Sequence, residues 1–76
     1  MTGKEDQAVE VMYKILSLNP KHIQAFKFLE ATYYLRQDRD SLENLLRVWL
    51  TKNPEDDSSA ALLAQIVKPG FTFPRR

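Results

Sequence analysis

The 76-residue chain carries one histidine, no cysteine and two short acidic runs, so any reaction chemistry has few parts to draw on. His22 has the side chain of a general base or a metal ligand, but a metal site needs three or four convergent donors. No cysteine or second histidine accompanies it. Asp38 with Asp40, and Glu55 through Asp57, offer the carboxylates that calcium prefers. Neither run has the glycine and the distal bidentate glutamate that a calcium loop requires. Ser17, Ser41, Ser58 and Ser59 supply hydroxyls, and His22 is the only imidazole that could activate one. The two glycines, Gly3 and Gly70, cannot form a loop that cradles phosphates. The expectation is a protein without catalysis, metal or cofactor, whose short acidic runs cap helices and face solvent.

Charge narrows the partners. Eleven Lys and Arg stand against ten Asp and Glu, interspersed, for a net charge of +1. Duplex binding needs a concentrated basic face that displaces counterions, so no nucleic-acid partner is expected. No apolar run approaches the ~20 residues that span a bilayer, so membrane insertion is not expected either. Met1-Thr2-Gly3-Lys4-Glu5-Asp6 is too polar for a signal or transit peptide. A soluble, cytoplasmic protein is the default expectation, or a periplasmic one if a targeting segment was removed.

The elements that must position these residues are announced by Asn19-Pro20 and Asn53-Pro54, two identical dipeptides 34 residues apart. Asparagine is a good N-cap and proline suits the first helical position, so each dipeptide is expected to open a helix. Four helices follow from the apolar spacing. The first, near residues 4–18, carries Ala8, Val11, Met12 and Ile15 at i, i+3, i+4 and i+7, with Val9, Tyr13, Leu16 and Leu18 as a second apolar flank. The second, near 20–37, has a core stripe of Ile23, Phe26, Leu29 and Tyr33, and ends in a turn at residues 36–39. Asp40 with Glu43 resembles a capping box for the third, near 41–52, whose stripe is Leu42, Leu45, Leu46, Trp49 and Leu50. The fourth presents Ala60, Leu63, Ala64 and Val67 and stops at Pro69-Gly70. Residues 71–76 are expected to be extended or disordered.

A period of ~34 residues is that of one tetratricopeptide helix pair, and the chain resembles that family. Phe26 stands for the first aromatic of its pattern, Leu29 for the Leu, Tyr33 for the Tyr and Pro54 for the Pro. Glu30 replaces the glycine after the Leu, and Leu42 replaces the small alanine of the second helix, which implies a wider or rotated pair. The resemblance implies an all-α fold of four antiparallel helices: a half unit over 4–22, a full unit over 23–56 and a half unit over 57–68, within a domain of residues 1–70. It also implies a concave groove that takes a peptide or partner helix, lined by Gln24, Lys27, Phe28, Ala31 and Tyr34, then by Ser58, Ala61, Leu62 and Gln65. Lys27 matches the lysine with which some members clamp a C-terminal carboxylate, but Ala31 stands in place of the asparagine, so that clamp is incomplete. The expected function is a protein–protein interaction module. The alternative is a self-association or capping element, in which Val9, Tyr13 and Leu16 make a homodimer or join a longer repeat array, because solenoid repeats usually need at least ~3 units for stability.

Overall fold

The structure, a computed structural model, describes residues 3–74. It is all helical, with α1 Gly3–Leu18, α2 Ile23–Leu35, α3 Arg39–Lys52 and α4 Asp57–Ile66 joined by short turns, and no strand among the described residues. Each helix packs on the next in sequence, and non-consecutive backbones stay apart. The Cα positions fill a slab of 34 × 32 × 16 Å. A cleft is walled by α1 and α3. A depression is walled by α2 and α4.

The helix starts differ from the sequence expectation in an informative way. Asn19-Pro20 does not cap α2. It forms a turn closed by the His22 N–H donating to the Asn19 carbonyl at 3.0 Å, and His22 is the cap, its Nδ1 accepting from the Ala25 N–H at 3.1 Å. Asn53-Pro54 does the same one period later, with the Asp56 N–H on the Asn53 carbonyl at 3.1 Å and the Asp56 carboxylate accepting from the Ser59 N–H at 3.1 Å. Asparagine at the first and proline at the second position of a four-residue turn is a favourable pairing, which is why the dipeptide ends one helix rather than starting the next. Asp38, not Asp40, caps α3 by accepting from the Ser41 N–H at 3.2 Å. Between α2 and α3, Gln37 takes a positive φ of 58°. Its N–H reaches the Tyr34 carbonyl and the Asp38 N–H reaches that of Tyr33, the paired bonds that close a helix C-terminus.

Phe26, Leu29, Tyr33, Leu42, Leu45, Leu46, Trp49 and Ile66 form the core. Phe26 and Trp49 stack at 4.1 Å between centroids and 11° between planes. Burial corrects three of the predicted stripes. On α1 it is Val9, Met12 and Leu16 that pack against the core, while Val11 is 52% exposed and Leu18 85% exposed. On α2, Ile23 is exposed and Ala25 is buried in its place. On α4, Ser59 and Ile66 are buried and Ala60, Ala64 and Val67 face outward. Both end helices are apolar around much of their girth, so periodicity leaves the choice of face to packing.

Candidate interaction surfaces

The residues expected to line a groove lie on α2 and α4, and the structure divides them. Ala31, Tyr34 and Leu62 meet in one depression of about 380 Å³, joined by Glu30 and Leu35. Gln24, Lys27 and Phe28 stand exposed on α2, and Ser58, Ala61 and Gln65 on α4, outside that depression. Lys27 is engaged locally: its ammonium lies 3.3 Å from the Glu30 carboxylate and 5.7 Å from the Phe26 ring centroid. Phe28 is 36% exposed.

Sequence reasoning missed one part of this surface. Residues 71–74 form no helix or strand, yet Phe71 and Phe73 pack on the core. Phe73 meets Tyr34 edge to face at 5.2 Å, and Phe71 meets Phe73 in the same manner at 5.0 Å. Arg75 and Arg76, the rest of that predicted tail, lie outside the described residues. The signal was present as two rings two residues apart behind a Pro-Gly stop, the spacing that puts both on one side of an extended chain.

A second apolar surface lies between α1 and α3. Tyr13, Leu16, Ser17, Pro20, Leu45, Val48, Trp49 and Lys52 line a cleft of about 280 Å³. Of the three residues expected to drive self-association, Val9 and Leu16 pack on the core, and Tyr13 and Leu16 line this cleft. The Tyr13 ring lies 6.4 Å from that of Tyr33. Burial, and then a hydrogen bond shared with Tyr33, push the Tyr13 hydroxyl well above the ordinary tyrosine range, so it stays protonated.

Among the described residues, no group of three His, Cys, Asp or Glu side chains is placed to hold a metal, and no helix is long and apolar enough to cross a membrane. The His22 Nδ1 accepts the cap bond of α2. The surfaces therefore define a small all-α protein built from consecutive helical hairpins. No protein family, curated protein or solved structure that was compared with the chain matches it.

Proposed function

We propose that this chain is a tetratricopeptide-like protein–protein interaction module that holds a peptide or partner helix in the groove between α2 and α4. The observation that carries this reading is the meeting of Ala31, Tyr34 and Leu62 in one apolar depression, with Phe28 exposed on the same helix as two of them. Apolar concavities flanked by polar side chains are where partners dock, and the near-neutral charge favours a protein partner over a polyanion. The test is affinity capture from the source organism followed by variants of the captured pair. Ala31→Glu should abolish capture while leaving the melting temperature nearly unchanged, whereas Val48→Ser on α3 should retain it. Capture that survives Ala31→Glu and Phe28→Ala alike would place the partner elsewhere.

The second reading is self-association. The α1–α3 cleft, walled in part by Tyr13 and Leu16, and the exposed Val11 and Leu18 favour it. Sedimentation over a hundredfold range of concentration separates the two, since only this reading requires the mass to rise.

A further inference from the structure

We propose that the α2–α4 groove recognises an extended segment with two aromatic rings two residues apart, and that the chain's own Phe71-Thr72-Phe73 is a resident ligand that a foreign segment of this kind must displace. This rests on the groove reading above and names the partner chemistry. The tail reaches Tyr34, on the wall of the groove, after a turn in which Gly70 takes a φ of +82°, a conformation that glycine adopts without strain, and the Phe71 N–H donates to the Lys68 carbonyl at 3.2 Å. Beyond that turn Phe71 and Phe73 are half-buried while Thr72 and Pro74 are exposed, the alternation of an extended strand laid on a surface. Phe73 contacts Tyr34, which also walls the depression beside Ala31 and Leu62. The body of the protein thus displays the chemistry it accepts: an edge-to-face seat for one ring and apolar packing for a second, two positions away.

The mode of attachment makes displacement reasonable. No ladder of backbone hydrogen bonds ties residues 71–74 to a helix; among the described residues the segment is held by the packing of Phe71 and Phe73 on the core, by their ring contacts and by the single turn bond. A tethered ligand of this kind competes at a high effective concentration, and it lowers apparent affinity for a free ligand by the fraction of time that it leaves the seat open.

The probe is a fluorescein-labelled peptide copying residues 68–76, titrated into the full chain and into its Phe71→Ala/Phe73→Ala variant. The variant should bind about tenfold more tightly than the wild type, as expected if the tail fills its seat about nine-tenths of the time. Adding Tyr34→Ala to the variant should remove that gain, and a peptide with both phenylalanines changed to serine should not bind. A folded variant that does not bind the peptide, or binds no tighter than wild type, overturns the proposal. Should the variant fail to fold, NMR titration of the wild type with unlabelled peptide decides: amide signals of Thr72 and Phe73 must move together with those of Ala31 and Leu62, and their staying fixed overturns it. A concentration-dependent dimer that vanishes in the double variant would assign the seat to the tail of a second copy and overturn the foreign ligand. A captured partner that needs Ala31 yet is not competed by the peptide would sink this inference and leave the interaction module standing.

Discussion

The indole Nε1 of Trp49 donates to the Asp56 carboxylate at 2.9 Å. Asp56 is also the cap of α4, taking the Ser59 N–H at 3.1 Å and the Ser59 hydroxyl at 2.8 Å. One carboxylate therefore ties the largest ring of the core to the start of the last helix.

The bond from Trp49, followed by those from Ser59, holds the Asp56 carboxyl below its ordinary range. Because the folded state lowers this pKa, the stability it contributes is complete above about pH 5 and is lost as pH falls through the folded value. Asp56→Ala removes the cap and leaves the indole N–H unpaired, at a cost of about 2–3 kcal/mol at pH 7. Asp56→Asn keeps a capping oxygen and should cost less, while flattening the acid dependence. Urea unfolding at pH 7 and pH 3 checks both; an equal acid loss in wild type and Asp56→Asn would show that other carboxyls dominate.

Trp49 is 5% exposed and stacked on Phe26, at the junction of α2, α3 and the α4 cap. Trp49→Ala is expected to cost ~3–5 kcal/mol, close to the whole stability of so small a domain. Circular dichroism at 25 °C should find it largely unfolded, and a cooperative transition near the wild-type temperature would show the ring to be peripheral.

Asn19 and Asn53 are equivalent by the repeat but not by energy. Asn53 is buried: its Nδ2 donates to the Pro20 and Trp49 carbonyls at 3.1 Å each, and its Oδ1 accepts from the Lys21 ammonium at 3.2 Å. It pins the two turns together, whereas the exposed Asn19 side chain, among the described residues, bonds only the nearby Lys21 N–H at 3.3 Å. Asn53→Ala should cost about 2 kcal/mol and Asn19→Ala under about 0.5 kcal/mol. Equal values in chemical denaturation would show that the bridge between turns contributes nothing.

The two flanks of α1 should respond oppositely to charge. Val9→Glu with Leu16→Glu buries carboxylates against the core and should unfold the chain, while Val11→Glu with Leu18→Glu should leave it folded. If α1 is a self-association surface, the second pair is the one that dissolves the oligomer. Thermal melts combined with sedimentation read both effects.

Phe28→Ala should lower partner affinity by more than about 2 kcal/mol, as an exposed aromatic at an interface can, with little loss of stability. A melting temperature that fell as far as that of Trp49→Ala would place Phe28 in the core.

The four helices, the turn between α2 and α3 and the burial of Trp49 were legible in the sequence, because local periodicity and turn chemistry act over a few residues and need no distant partner. The repeat was legible too, and it is local geometry that repeats: the Ile15 and Trp49 carbonyls accept from the Asn19 and Asn53 N–H groups at 2.8 Å, and the turns and caps follow in step. Tertiary structure decided the rest. Which face of α1 and α4 is buried depended on which neighbour exists, since either face was apolar enough to serve. Asn53 could become a buried bridge only because α3 ends beside the Pro20 turn. The tail packs on the body because α2 and the core offer its rings contacts, Tyr34 meeting Phe73 edge to face, and no spacing along the chain encodes the distance between them.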